Sequence, residues 1–396
     1  MSLVERVREL QGEFIGFRRQ IHQNPELGFQ EFETTKLIEG KLKEWGIETS
    51  PNGEKTGVIG TLRGGKPGEK TIALRADIDA LPVTEATGLE FASRNKGVCH
   101  ACGHDIHTAT LLGTARLLSE YRGALAGTVK FLFQPAEETL GGAESMMESG
   151  ALEGVDCILG AHTWPDVPGG CIGVRKGAMM ASSDSFKITV TGKGGHAAHP
   201  DRCIDPIVAG AHIITQLQTV VSRRVAPTDP AVVTVGHLTA GRVNNVIPTE
   251  CVLEGTVRTL SPETRKAVAG YIRDIATHTA EGMGARADIE VRMGVPPVIS
   301  DGGLVDAVSE AVTELLGPRA LVQLMAPSMG SEDFALYMER VPGAYFRLGT
   351  SDERPDSHGG LHSPKTLFSE KAIPIGIVTF VGSVFRLTGS DMGALK

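Results

Sequence analysis

The sequence predicts an α/β protein with a mostly parallel central sheet, into which a smaller α+β domain is inserted. Three observations carry this expectation. At 396 residues the chain exceeds one ordinary hydrophobic core, and about two domains are expected at that length. Before Ser183, short apolar strand-like runs alternate with helical stretches, the signature of a parallel sheet covered by helices. From Ser185 the order of elements changes to β-α-β-β-α-β.

The elements follow in chain order. Val4, Val7, Leu10, Phe14 and Ile21 recur at roughly helical spacing and predict an opening helix. A second helix is expected from Thr34 to Trp45, where Gly46 is a natural stop. Val58–Leu62, Thr71–Ala76, Val129–Phe133 and Cys157–Ala161 read as strands, and Ile106–Tyr121 as a helix between them.

In the changed region, Phe186–Val190 reads as a strand, Pro206–Val221 as a helix, and Val232–Leu238 and Cys251–Thr259 as strands. Glu263–Ala280 then reads as a helix and Ala287–Val291 as a strand, completing a ferredoxin-like order. After Val295-Pro296-Pro297 the chain returns to helix (Leu304–Leu316) and further strands. The expected inserted domain is therefore 184–294, flanked by 1–183 and 295–396 as two parts of one larger domain. No internal repeat or low-complexity tract interrupts this pattern.

Composition narrows the function classes. With 41% hydrophobic and 22% charged residues the chain reads as soluble and globular. The formal charge of -8 and the absence of a basic tract give no electrostatic footprint for nucleic acid. The longest oily run, Ala372–Phe385, contains Pro374 and Gly376 and falls short of the ~20 residues that a membrane span needs. It reads as buried core, so no membrane partner is expected. Met1–Leu10 mixes Glu5, Arg6, Arg8 and Glu9 among its apolar residues and lacks the core of an export signal. Six cysteines without such a signal do not suggest a disulfide framework. A cytoplasmic protein is expected.

Five short segments concentrate His, Cys, Asp and Glu. Arg75-Ala76-Asp77-Ile78-Asp79 closes a strand, and alternation places Asp77 and Asp79 on one face. Cys99-His100-Ala101-Cys102-Gly103-His104-Asp105 leads into a helix, and Gln134-Pro135-Ala136-Glu137-Glu138 follows a strand. Ala161-His162-Thr163-Trp164 lies at another strand end, and Leu361-His362-Ser363-Pro364 lies near the C-terminus. In an open parallel sheet the ligand site lies outside the carboxyl ends of the strands, so these segments can converge. Thiolate, imidazole and carboxylate together suit a transition metal such as Zn, Mn, Co or Ni rather than Ca or Mg.

Singly, each feature has a plainer reading. Cys99-x-x-Cys102 could be a redox pair, though His100 and His104 favour metal. Glu137-Glu138 alone is most often a solvated turn, His162 alone a satisfied core histidine, and His362 alone a loop residue. Asp77 or Asp79 could cap the following turn, and Arg258 could be an ordinary salt-bridged surface residue. His196 and His199 lie in a Gly-rich turn where polarity is expected. Trp164 could line a pocket or merely pack. Cys157, Cys171, Cys203 and Cys251 read as small core or partly buried residues. No role is assigned to His22, His100 or His107.

Taken in order, the blocks resemble a known family. They are Arg18-Arg19-x-x-His22-x-x-Pro25-Glu26-Leu27-Gly28-Phe29, Ala76-Asp77-Ile78-Asp79-Ala80-Leu81-Pro82 and Cys102-Gly103-His104-Asp105. Pro135-Ala136-Glu137-Glu138, Gly195-His196-Ala197-Ala198-His199-Pro200, Asn244-Asn245-Val246-Ile247-Pro248 and Gly330-Ser331-Glu332-Asp333-Phe334 follow. Over essentially its whole length the chain resembles the M20 metallopeptidases, in particular the aminoacylase and hippurate-hydrolase branch that includes plant auxin-conjugate hydrolases.

That resemblance implies a catalytic α/β domain, a ferredoxin-like lid and dimerisation domain, and two divalent metal ions per subunit. It implies Cys102, His104, Glu138, His162 and His362 as metal ligands, with Cys102 bridging where many relatives carry Asp. Glu137 would be the general base and His196 a donor to the oxyanion, commonly across a dimer. Asn245 and Arg258 would hold the substrate carboxylate, and Asp79 would orient a ligand imidazole such as His104. The wider clan has His-x-Asp where this chain has Asp77-Ile78-Asp79, so Asp77 is not assigned as a ligand.

The implied activity is hydrolysis of N-acyl-L-amino acids by a homodimer or homotetramer whose lid closes over the metals. A dipeptidase, an N-acetyl-diaminopimelate deacetylase or an aminobenzoyl-glutamate hydrolase would use the same groups. A non-catalytic metal-binding homologue is a reading of a different class, which the presence of Glu137 and all five ligands disfavours.

Overall fold

A computed structural model describes residues 1–396. The chain forms two compact units, one of Met1–Gly177, Ile299–Ala326 and Asp333–Lys396, the other of Ala178–Val298 with Pro327–Glu332. The second unit extends beyond 184–294 on both sides and takes in a short segment from far along the chain. Main-chain bonds hold that segment: Ala181 donates to Gly330 O (2.9 Å) and Ser328 to Met179 O (3.0 Å). Such bonds leave no side-chain periodicity for a sequence to display.

The first unit is built on an eight-stranded sheet. Its order is Glu48–Asn52, Lys55–Arg63, Ala126–Gln134, Lys66–Asp77, Cys157–Pro168, Gly343–Ser351, Ile172–Val174 and Leu321–Gln323. The four strands from Ala126–Gln134 to Gly343–Ser351 all pair in parallel. Gly343–Ser351 is buried along its entire length, as a parallel strand covered on both faces should be. Antiparallel pairings join the first two strands to the sheet and link Gly343–Ser351 to Ile172–Val174.

Helices Leu3–Gln23, His104–Glu120, Gly302–Leu316 and Ala372–Thr388 pack with one another around this core. The opening helix starts on a capping box: Ser2 Oγ accepts from the Glu5 amide, and Glu5 receives the Ser2 amide. The oily run near the C-terminus is a helix buried almost throughout. Its Pro374 sits in the first turn, where no helical donor is lost.

Two sequence expectations needed correction in detail. The strand expected at Cys157–Ala161 continues to Pro168, because its parallel partner pairs with it through Gly349 and Trp164 and resumes at Ser351 and Pro168. His162 therefore lies within a strand rather than at its end. The pairing of this strand with Lys66–Asp77, however, stops at Arg75 and Gly160, so His162 stands two residues past the last paired position. The strand Glu48–Asn52 was not anticipated; it carries Pro51, has no apolar alternation, and forms the sheet edge.

The second unit has a four-stranded antiparallel sheet in the order Ala231–Ala240, Glu250–Thr259, Ser183–Thr191, Arg286–Val295. Phe186, Ile188 and Val190 alternate inward and meet the buried faces of helices Pro206–Thr219 and Pro262–Gly282. The element order β-α-β-β-α-β is the one the sequence predicted. No helix of the chain is long and apolar enough to cross a membrane.

Candidate metal centre

The site begins with a turn that the sequence makes awkward. After the strand Ala126–Gln134, Ala136 takes φ +52° and Leu140 φ +58°, values that cost a non-glycine residue free energy and persist only where the surroundings enforce them. Two contacts enforce this one. The Ala136 amide donates to the buried Glu31 Oε1 (2.9 Å), and Thr56 donates to Glu31 Oε2 (2.5 Å). Gly28 lies so close that a Cβ there would meet Ala136 Cα at 3.1 Å. The turn presents Glu137, which is buried, and Glu138, whose amide donates to Asp79 Oδ2 (3.0 Å). Burial raises the Glu31 carboxyl to about 7, against the hydrogen bonds it accepts.

His104 opens the helix that runs to Glu120. Its Nδ1–H donates to Asp79 O (2.9 Å) and Oδ1 (3.1 Å), which fixes the tautomer and leaves Nε2 as the free lone pair. Asp79 thus has the orienting contact expected of it, although it lies just beyond the strand that ends at Asp77. His104 Nε2 is 3.6 Å from Asp77 Oδ2 and 3.9 Å from Glu138 Oε1. Cys102 Sγ lies 3.3 Å from His162 Nε2, and His162 Nδ1–H donates to Thr163 O (2.7 Å). His362 adopts φ +67°, its amide donates to Ala101 O (2.9 Å), and its Nε2 is 3.3 Å from Glu138 Oε1.

These five side chains form two groups that could each hold a metal ion: Cys102, His104 and His162, and Cys102, Glu138 and His362. Within each group the donor atoms lie within 4.8 Å of one another, and Cys102 belongs to both. Glu137 shares a further group with His104 and Glu138.

The donor set fits a cation. His104 Nε2 is buried and makes no hydrogen bond, a state that buried polar atoms rarely occupy unless something else satisfies them; Glu138 Oε1 has only the 3.3 Å contact with His362 Nε2. Sulfur, nitrogen and carboxylate oxygen around one point are transition-metal chemistry. The electrostatics agree. Burial opposes a charge on His104, yet Asp77, Cys102 and Asp79 hold its pKa well above the ordinary value. The Cys102 sulfur and the Glu138 carboxylate raise His362 to about 10, against burial. Burial lifts the Cys102 thiol and, with His107 and Arg347 nearby, keeps His162 well below its usual range. Cation binding at such a cluster is coupled to release of the protons that it holds. All six cysteines are free thiols.

Asp77, left unassigned by the sequence, is fully buried and already engaged. Arg75 Nη1 donates to its Oδ2 (2.7 Å) and His107 Nδ1 to its Oδ1 (2.5 Å). Sequence reasoning missed His107, Thr163 and Glu31. The His104-x-x-His107 spacing was a usable signal, since residues three apart share a helix face. Thr163 and Glu31 had none. His22 is also engaged, with Nδ1 2.8 Å from Asp105 Oδ2 and Nε2 3.2 Å from Glu85 Oε1.

His196, Asn245 and Arg258 belong to the second unit. His196 is exposed and pairs with Val246 across a two-residue ladder, beside which the Ala197 amide donates to Asn245 O (3.1 Å). Arg258 is half-buried, and its Nη1 donates to Ser331 Oγ (3.2 Å) and Ser182 O (3.5 Å). It is not in a salt bridge of the kind the plainer reading supposed.

Comparison with known proteins converges on one family. The pattern of Peptidase family M20/M25/M40 matches residues 73–386. The chain is 46% identical over 362 residues to an N-acetylcysteine deacetylase of Bacillus subtilis, covering 91% of this chain and 93% of that protein. It is 40% identical over 375 residues to a hippurate hydrolase of Campylobacter jejuni, covering 94% and 96%. Among solved structures it resembles the YXEP protein of Bacillus subtilis, described as a dinuclear metal binding peptidase. That likeness has a TM-score of 0.86 at 41% identity and covers 97% of this chain and 100% of that one.

Proposed function

The chain belongs to Peptidase family M20/M25/M40, and we propose that it hydrolyses the amide bond of N-acyl-L-amino acids at a site for two divalent ions. It is an amidohydrolase of the M20 type, and its curated relatives include enzymes named for N-acetylcysteine deacetylation and hippurate hydrolysis. The observation that carries the reading is the pair of donor groups that share Cys102 and have Glu137 beside them.

In this reading Cys102, His104 and His162 hold one ion and Cys102, Glu138 and His362 the other. Zn, Mn, Co and Ni all suit that set. When bound, the ions supply Lewis acidity to a water and to the scissile carbonyl. Glu137, buried next to ligand Glu138, takes the water proton and returns it to the leaving amine. Asp79 keeps the His104 lone pair directed at the site. Arg258, a guanidinium in no salt bridge, is the fork for the substrate carboxylate, with Asn245 as a second donor and His196 as the donor to the oxyanion.

A homodimer is proposed with this function. The strand Ala231–Ala240 pairs on one side only, and Val232 and Leu238 on it are exposed; an open apolar edge of this kind invites a second strand. A monomer by light scattering at micromolar concentration excludes it.

The test of the activity compares acetyl-, benzoyl- and indoleacetyl-amino acids with free dipeptides, before and after chelation. Chelator-sensitive hydrolysis of the acylated substrates is expected, restored by added divalent metal. Hydrolysis indifferent to metal removal overturns the reading; preference for dipeptides moves it to the peptidases of the same family.

A further inference from the structure

We infer that Asp77, His107 and Thr163 form a buried positioning relay that sets the Cys102–His162 edge of the site, an inference that rests on the assignment of Cys102 and His162 as metal ligands. Arg75, fully buried, pins the Asp77 carboxylate. The other Asp77 oxygen takes the His107 Nδ1 proton at 2.5 Å. His107 Nε2 is then left as an acceptor, and the Thr163 amide donates to it at 2.7 Å. Only one neutral tautomer satisfies both contacts, so the ionised Asp77 dictates which His107 nitrogen faces the strand.

Thr163 spends its remaining polar groups on two candidate ligands. Its hydroxyl donates to Cys102 O at 2.7 Å, and its carbonyl receives the His162 Nδ1 proton at 2.7 Å. The second contact holds the His162 Nε2 lone pair toward the Cys102 sulfur, 3.3 Å away. The first fixes the main chain that carries that sulfur.

An independent observation supports the arrangement. Gly103 sits between Cys102 and His104 with φ +87°, and a Cβ there would approach Thr163 Oγ1 to 2.7 Å and Cγ2 to 2.9 Å. The backbone between two ligands is thus bare where Thr163 must reach past it. His107 and Thr163 touch no donor atom of the other ion's own ligands, Glu138 and His362, in any contact above. The relay therefore bears directly on His162 and Cys102, and reaches the Glu138–His362 group only through Cys102, which both groups share.

The test is metal binding to the full-length protein, with Co²⁺ as probe. Affinities are read by competition with a chromophoric chelator, and the Cys102 thiolate-to-cobalt absorption reports the sulfur's geometry. Thr163→Val keeps the volume and both main-chain contacts but deletes the hydroxyl bond; Thr163→Ser keeps that bond. Weakening of about 10–100-fold in at least one of the two binding steps is expected for Thr163→Val, as for other groups that orient ligands, with a shifted absorption band. Thr163→Ser should restore both.

His107→Leu, with donor and acceptor removed, should weaken the same step, and His107→Gln should recover part of it. Unchanged affinity and spectrum in Thr163→Val overturns the relay, even if His107→Leu fails to fold. Failure of the parent protein to bind two equivalents of Co²⁺ overturns the metal-site reading instead, so the two failures are distinct.

Discussion

Asp79 receives the Nδ1 proton of His104 through two oxygens, its main-chain O at 2.9 Å and its Oδ1 at 3.1 Å. Its other carboxylate oxygen takes the Glu138 amide. One residue thereby contacts a proposed ligand in each donor group. Asp79→Ala should lower metal affinity about 10–100-fold, and Asp79→Asn, which keeps an oxygen acceptor, should lower it less. Equilibrium competition for Zn²⁺ checks this; equal affinities in all three proteins would remove Asp79 from its orienting role.

Glu137 is assigned to the proton and Glu138 to the ion, though they are neighbours. Glu137→Gln should retain two metals per chain by elemental analysis and lose about 10²–10⁴ in kcat. Metal loss in this variant would make Glu137 a ligand and leave the base unassigned.

Arg258 can be tested through the substrate. Losing a charge-assisted contact costs about 1.5–3 kcal/mol, so Arg258→Lys should raise KM about 10–100-fold for N-acyl amino acids. The same change should leave hydrolysis of the corresponding amino-acid amides, which lack the carboxylate, unaltered. An equal effect on both substrate types is the contrary result.

His22 gives a pH signature in the metal-free protein. Burial lowers its pKa, but Asp105 and Glu85 outweigh that and raise it to about 9 from an ordinary 6.5. The folded state then holds a proton that the unfolded chain releases. The contribution, of the order of 3 kcal/mol, is fully present below pH 6.5 and lost as pH rises through 9. Urea unfolding of the parent and of His22→Gln between pH 6 and 9.5 should show the two curves converging at the alkaline end.

Glu31 works in the same direction for the opposite reason. Burial favours its neutral form, with a pKa of about 7 against an ordinary 4.5. Ionising it therefore destabilises the fold as pH rises from 4.5 through 7. Glu31→Gln keeps an acceptor for the Ala136 amide without the charge. Its stability relative to the parent should rise between pH 5 and pH 8; a constant difference would contradict the assignment.

The sequence was most readable where chemistry and periodicity coincide. Phe186, Ile188 and Val190 alternate in the strand as they do in the chain, and the ferredoxin-like order could be written down directly. The five proposed ligands stood in conspicuous blocks, and the structure brings them together. What could not be read was made by main-chain geometry. The strained Ala136 turn depends on a carboxylate 105 residues earlier in the chain, and nothing in Gln30-Glu31-Phe32 distinguishes Glu31 from an exposed glutamate. Thr163 acts through its amide, carbonyl and hydroxyl, none of which a pattern of polar and apolar letters records. Pro327–Glu332 joins the second unit through main-chain bonds in the same way.

The helix Ala372–Thr388 packs against the opening helix and against His104–Glu120, and Arg18 in the opening helix reaches Glu370 just before it (3.0 Å). During synthesis, the apolar faces of the earlier helices must therefore wait until residues 372–388 have left the ribosome. The Ala178–Val298 stretch is nearly contiguous and can acquire its own core while that wait lasts. Nascent chains of increasing length should become protease-resistant in that order, the inserted unit first and the metal-bearing unit only once the final helix has emerged.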